Sequence, residues 1–456
     1  MPWTQVSERR YERPASSYEK FYLLPEDISG ALFNGRRTST LFSRLKVDLN
    51  LGIPPLEIED ALRYAWKQMR YEQPSLAMIR EDSKKVYEVP DEAALQAWLD
   101  KTFIVSDEMD SELPAREARP IDQATFYYFP KVSEIVFRVP HSVMDAIGAI
   151  MFWDAYLTAL TNPNPDLVFG EEGIRLLPVI DEILDIPETP SPEIAKRAID
   201  LVTTFAKESP GIGPISRANK VTPTLTQKRE FVFSEKTTKA IVKGCKRNGY
   251  TVTAAVHTAI ILMLVKYADP AQTTKDSKYV TFTSQNFRPE LPEPYNSSNC
   301  AISLYHHGWT LIIDKPATST FQEIAEIVSK HYKTAFNENL ENVQLCSPAY
   351  DMLLALMKNP AFAAAPPPRD PLVNGLGVVE KYLHRTYDSA NKDVAVIDFK
   401  FSCDRTMGQT GIHFCTFHDK LRMVYSFNEA YEDESDVQIH LEYVQKVLLE
   451  EVVVRE

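Results

Sequence analysis

Val139-Pro140-His141-Ser142-Val143-Met144-Asp145-Ala146 is the stretch on which the reading of this chain turns. Before it, EIVFRV reads as a strand that ends at Val139. After it, from about Met144 to Leu160, a helix is predicted in which Ile147, Ile150, Met151, Phe152, Trp153, Tyr156 and Leu157 leave almost no polar face, as in a buried element. A histidine in the loop between them lies near the positive end of a helix dipole, which favours the neutral imidazole that a general base needs. Asp145, one turn on, suits the first turn of that helix. A rigid buried scaffold is what a catalytic base requires. The HxxxD spacing alone is weak, and the chain carries a second example, His384-Arg385-Thr386-Tyr387-Asp388, which runs into the polar loop SANKD. On these residues alone, a packed core histidine with Asp145 as helix cap stays open.

Working outward, helices and strands alternate. STLFSRLKVDL (39 to 49) reads as a strand, Pro54 to Arg70 as an amphipathic helix striped by Leu56, Ile58, Leu62 and Trp66, and LAMIRED as a strand. A helix from Asp91 to Phe103, with acidic residues in its first turn, and strands at 124 to 128 and 133 to 139 complete a first half. From Asp185 to Thr226 the texture turns to Pro, Ser, Thr and Gly around one helix, as in a crossover linker. The pattern then restarts: a strand at 229 to 233, a helix after Ser234, a helix from Thr253 to Tyr267, strands at 279 to 285 and 301 to 314, and a helix at 321 to 337 opened by the capping-box spacing of Thr320 and Glu323. Strands at 375 to 383, 394 to 403, 412 to 417 and 421 to 427 precede a last helix from about Glu432 to Val453. The expected organisation is α/β, with an N-terminal lobe over 1–185, a linker over 186–226 and a C-terminal lobe over 227–456.

Composition excludes several classes. The 456 residues, 44% hydrophobic with a net charge of −13, suit a globular protein with ordinary cores and give no electrostatic footprint for nucleic acid, although a local basic pocket for an anionic cofactor is compatible with them. The longest apolar stretch, Thr253 to Val265, is too short for a membrane span and carries His257, and the N-terminus lacks the apolar segment of a signal peptide. A cytoplasmic protein is expected. Its five cysteines are odd in number and never form CxxC, so neither a disulfide framework nor a metal site is expected.

The residues from His141 to Gly148 resemble the HHxxxDG motif of the superfamily that includes chloramphenicol acetyltransferase, BAHD-type alcohol O-acyltransferases and condensation domains of peptide synthetases. Other pieces are similar in the same order: Leu56 to Arg80, the NxRP-like Gln285-Asn286-Phe287-Arg288-Pro289, the glycine strand Asn374 to Val379, and Lys420 to Ala430. The resemblance implies a pseudo-dimer of two α/β lobes with a tunnel between them and His141 as general base at its middle. It further implies an acyl-CoA or pantetheinyl thioester as cosubstrate with no permanently bound cofactor, a small-molecule hydroxyl or amine as acceptor, an acyl carrier protein as a candidate partner, and a monomer. Asp145 is implied to pair with Arg288 and hold the loop rather than move protons, a task suited to an arginine fork. This chain departs from the pattern at Pro140, in place of the first His, at Ala146, in place of the Gly after Asp145, and in VIDFKFSCDRT, which has no DFGWG.

Those departures keep two alternatives open: the same fold serving as a cyclase or other non-acyl-transfer enzyme of polyketide-type biosynthesis, and a non-catalytic binding protein. Among weaker signals, Thr283, Ser284 and Asn286 are candidates for oxyanion stabilisation or for the tunnel wall, with strand-face hydroxyls as the plainer account. His306 and His307 alternate across a strand and are assigned to packing. Gly375 and Gly377 form an isolated GxG, the run from Ala361 to Pro371 reads as a surface loop, with an entrance lid or a Pro-rich docking segment as alternatives, and Glu432 to Asp436 as the solvated start of the last helix.

Overall fold

The strand Glu134–Pro140, which ends one residue before His141, buries six of its seven residues because both its faces are covered, Ile135, Phe137 and Val139 in one apolar cluster and Val136 in another. In the computed structural model, which describes residues 2–112, 123–216, 225–271, 273–335, 340–360, 370–389 and 392–453, it belongs to a six-stranded sheet. The order is Thr386–Ser389, Lys392–Cys403, Thr40–Asn50, Glu134–Pro140, Thr125–Phe129, Phe103–Val105. The Lys392–Cys403 strand, from the second half of the sequence, thus pairs antiparallel with Thr40–Asn50 from the first. A four-stranded sheet follows the order Leu372–Val378, Gly411–Phe417, Lys420–Asn428, Thr226–Val232, and Tyr279–Asn286 pairs with His306–Ile313 so that Asn286 stands opposite His306. A small N-terminal sheet joins Thr4–Ser7, Arg10–Pro14, Lys84–Glu88 and Ile79–Glu81.

Two large cores lie behind these sheets. One packs the Ile58–Glu72 and Ala146–Thr161 helices on the six-stranded sheet around Trp66, Phe137 and Trp153, and the other surrounds the Val252–Lys266 helix, which is buried almost all round. A third cluster joins the Ser17–Leu32, Pro192–Glu208 and Val343–Met357 helices. All five cysteines are buried and free.

The observed elements differ from expectation in ways that bear on the site. The strand expected from Ala301 begins only at His306, because the backbone of Ser303 and Tyr305 is bonded to Asp145 and Arg288 instead of a neighbouring strand. The strand expected to reach Leu383 ends at Val378, where Gly377 takes φ +73°. Helices at Ser17–Leu32 and Val343–Met357 add to those expected, each carrying an internal proline. The Thr320 capping box forms as expected. Glu432, expected in solvent, is buried and accepts a hydrogen bond from the Tyr425 hydroxyl, and the last helix starts after it, at Glu434. Nearly all of the Ala361–Pro371 run, and part of the 186–226 segment, lie outside the described residues. Among the described residues no single helix is long and apolar enough to cross a membrane.

Candidate active site

His141 follows the end of its strand and is held by its own N–H, which donates to the Ser39 carbonyl on the neighbouring strand's approach. The next residue is clamped: Ser142 gives its N–H and hydroxyl to the Glu26 carboxyl group, and its carbonyl accepts from the Lys85 ammonium at 2.9 Å. Both clamping groups are buried, and burial pushes the Glu26 carboxyl up to about 7. The imidazole stacks on the Tyr22 ring, 4.1 Å between centroids and 16° between planes, with His306 tilted beside it at 5.4 Å.

Asp145 is the N-cap of the Ala146–Thr161 helix, accepting the Gly148 N–H at 2.7 Å. Its carboxylate also takes the Tyr305 N–H at 2.8 Å and faces Arg288, which is 1% exposed. The fork expected of that pair is absent. Arg288 Nη1 donates to both carboxylate oxygens, at 2.8 and 2.9 Å, while Nη2 turns to the Ser303 carbonyl and hydroxyl. One arginine thereby ties the helix start to the turn before His306. The guanidinium, His306 and the Gly148 N–H hold the Asp145 carboxyl well below the usual range despite its burial. Gly148 is required for this approach, since a Cβ there would run into the Ala301 carbonyl oxygen and stand 3.0 Å from Arg288 Nη2.

The helix therefore begins after Asp145, four residues beyond His141, and its dipole is not what keeps the imidazole neutral. Burial is, assisted by His306; together they lower the His141 pKa to about 3. Nδ1 of the ring is sealed without a hydrogen-bond partner. The ring lines a cavity of about 220 Å³ whose wall draws on both large sheets and the Tyr279–Asn286 strand. Ala146 lines it where the related motif has glycine, and Asn374 to Val378 form a side of it.

The two candidate hydroxyls separate as strand neighbours must. Ser284 is exposed and lines the cavity, whereas Thr283 turns away to His331 and the Trp309 carbonyl. Asn286 also lines the cavity, but its amide gives one N–H to the Tyr382 hydroxyl and its oxygen accepts the Arg288 N–H. The second HxxxD stands apart: His384 is 74% exposed and bonded to Asp154, and Asp388 is exposed.

The cavity and the groups behind it include residues that sequence reasoning missed. His306, assigned to packing, lines the cavity with Nδ1 3.6 Å from Asp145 and Nε2 bonded to the Tyr18 and Tyr22 hydroxyls; His307 is packed among aromatic rings. Tyr18, Tyr22 and Glu26 come from the overlooked Ser17–Leu32 helix, whose signal was present as the Ser16 and Glu19 capping box and the four-residue spacing of all three. Arg405 and His413 also line the cavity, and no periodicity announces them. Among the described residues no group of three or more His, Cys, Asp or Glu is placed to hold a metal ion.

No protein-family model matches the chain. The acetyltransferase pigO of Monascus ruber is 28% identical over 100% of this chain and 99% of its own length. Among solved structures, the trichothecene 15-O-acetyltransferase TRI3 of Fusarium sporotrichioides superposes with a TM-score of 0.80 at 16% identity, covering 98% of this chain and 97% of that one. The first condensation domain of the calcium-dependent antibiotic synthetase gives a TM-score of 0.64 at 13% identity, covering 97% of each chain. In sequence the chain is thus similar to a fungal acetyltransferase, and its mixed α/β fold is the one seen in that 15-O-acetyltransferase and that condensation domain.

Proposed function

We propose that this protein is an acyltransferase of fungal-type secondary metabolism that moves an acyl group from a CoA or carrier-bound thioester to a hydroxyl or amine of a small molecule. The observation that carries the reading is the His141 imidazole on the wall of a cavity, stacked on Tyr22 in a loop clamped by the buried Glu26 and Lys85. The likeness to the acetyltransferase pigO and to the 15-O-acetyltransferase TRI3 supports acetyl transfer, to oxygen in the second case.

In this mechanism the acceptor oxygen attacks the thioester carbonyl as His141 takes its proton. The tetrahedral oxyanion then collapses, the C–S bond breaks, and the departing thiolate recovers the proton from the imidazolium. His306 is the less suitable base because its Nε2 is engaged by two tyrosine hydroxyls. Ser284 is the better donor to the oxyanion, since the Asn286 amide already bonds Tyr382. Asp145 and Arg288 act on shape: they fix the helix start and the 303 to 305 turn around the histidine loop. We place the cavity at the seam of a two-lobed pseudo-dimer, within a tunnel that admits donor and acceptor from opposite ends, in a cytoplasmic monomer.

The test is mass spectrometry of the protein incubated with a panel of acyl-CoAs and hydroxyl- or amine-bearing acceptors, with His141→Ala as control. Acyl transfer by wild type alone supports the proposal. Turnover of an acceptor without any thioester would support the cyclase alternative in its place.

A further inference from the structure

Arg405 is 7% exposed and lines the cavity, yet among the described residues no carboxylate lies within ion-pair distance of it. Its bonds are all made by its main chain: the N–H donates to the Thr226 hydroxyl, and the carbonyl accepts from Thr226 and Asn428. Among the described residues the guanidinium donates to nothing, and Nε is sealed. Its space is kept by Gly411, where a Cβ would stand 3.0 Å from Nε and 3.3 Å from His413 Cε1.

Neighbouring acids are shared with other cations: Asp404 interacts with Arg405 without pairing with it, and with Arg138 and Lys228 as well. Asp145, the only carboxylate on the cavity wall among the described residues, is committed to Arg288, and Asp404 lies 3.8 Å from Arg138. In a chain of net charge −13, this cavity therefore carries a buried cation in need of an anion. An uncompensated buried charge is strongly unfavourable, and a guanidinium is the side chain best shaped for two coplanar oxygens. The exposed Lys381 also lines the cavity, but the buried Arg405 guanidinium is the group that offers the planar pair of donors suited to a carboxylate.

We propose that Arg405 forms an anion subsite that receives the paired oxygens of a carboxylate or of a 1,3-dicarbonyl enolate of the acceptor molecule and so orients it towards His141. Assigning the anion to the acceptor rests on the acyl-transfer reading; the existence of the subsite does not. The Arg405 side chain is a specificity determinant, and the proton at the reacting atom is left to the histidine.

Binding separates the two ideas. Titration calorimetry with benzoate and with its neutral counterpart benzamide is run on wild type, Arg405→Lys and Arg405→Gln, with thermal melts recorded for each. Benzoate should bind wild type at least tenfold more tightly than benzamide; Arg405→Gln should erase the preference and Arg405→Lys keep part of it. Should Arg405→Gln fail to fold, the wild-type preference and its reduction in Arg405→Lys still decide. Equal affinities on wild type, or a preference unchanged in the folded glutamine variant, would overturn the subsite. Phosphopantetheine is titrated as well: if it binds through Arg405 and displaces benzoate, the anion belongs to the donor and the acceptor assignment is overturned. Benzoate selectivity in a protein that turns over neither acyl-CoA nor a carrier-bound acyl thioester supports the subsite and removes the acyl-transfer reading instead.

Discussion

Replacing Asp145 with alanine removes more than one interaction, and the cost can be worked from its partners. The carboxylate satisfies Arg288 Nη1 and the N–H groups of Gly148 and Tyr305, all in a setting where Asp145 and Arg288 are 2% and 1% exposed. Breaking a buried pair from one side costs about 3–5 kcal/mol, because the remaining charge stays buried. Loss of the helix cap adds about 1 kcal/mol. Unfolding entropy of roughly 2 cal/mol/K per residue, over 456 residues, makes 1 kcal/mol worth about 1 °C, so Asp145→Ala should melt about 4–6 °C below wild type. Arg288→Ala should fall less, since two backbone N–H groups still stabilise the carboxylate. The double variant should be less destabilised than the two singles added together, with a coupling of about 2 kcal/mol or more. Scanning calorimetry of the four proteins measures this. Single variants within 1 °C of wild type, or strict additivity, would refute the pairing as the element that shapes the loop.

Further outcomes follow from the same geometry. Gly148→Ala should be destabilised to a similar degree, because its new methyl group meets the Ala301 carbonyl and the Arg288 guanidinium; a melting temperature equal to wild type would contradict that. Ser284→Ala should lower kcat about 10²-fold with an unchanged melt if its hydroxyl serves the oxyanion, and full activity would remove it from that role. The histidines at 141, 257, 307 and 413 are pushed down to about 3 and those at 331 and 440 to about 4. Below the ordinary value of 6.5 the unfolded chain binds protons that these buried rings refuse, so each lowers stability by up to about 1.4 kcal/mol per pH unit. Glu26, Asp370 and Asp404, raised to about 7, 7 and 6, oppose this by taking protons first in the folded state, but they are fewer. Thermal melts should therefore fall steeply between pH 6 and pH 4; a level melting temperature across that window would contradict the neutral assignment.

Sequence periodicity conveyed the strand before His141, the apolar helix after it and the capping box at Thr320, because each rests on contacts within one segment. It misjudged the 301 to 305 segment, whose apolar texture suits a strand but whose backbone bonds belong to Asp145 and Arg288, distant in sequence. The same distance hid the insertion of Lys392–Cys403 beside Thr40–Asn50. Pro25 obscured a helix that supplies Tyr18, Tyr22 and Glu26, although Ser16 and Glu19 marked its start. The resemblance led to Arg288 as the partner of Asp145, and the local strand–loop–helix pattern led to His141. His306, Arg405 and His413 could not be found in this way, since what makes them notable is a shared cavity rather than any spacing along the chain.

The most direct test is the rate at which free thiol is released from an acyl-CoA in the presence of an accepted hydroxyl compound, compared between wild type and His141→Ala at matched melting temperatures. With His141 as the base, the variant should lose about 10²–10⁴-fold in kcat while remaining folded. A folded His141→Ala protein that releases thiol and forms product at the wild-type rate would contradict the account.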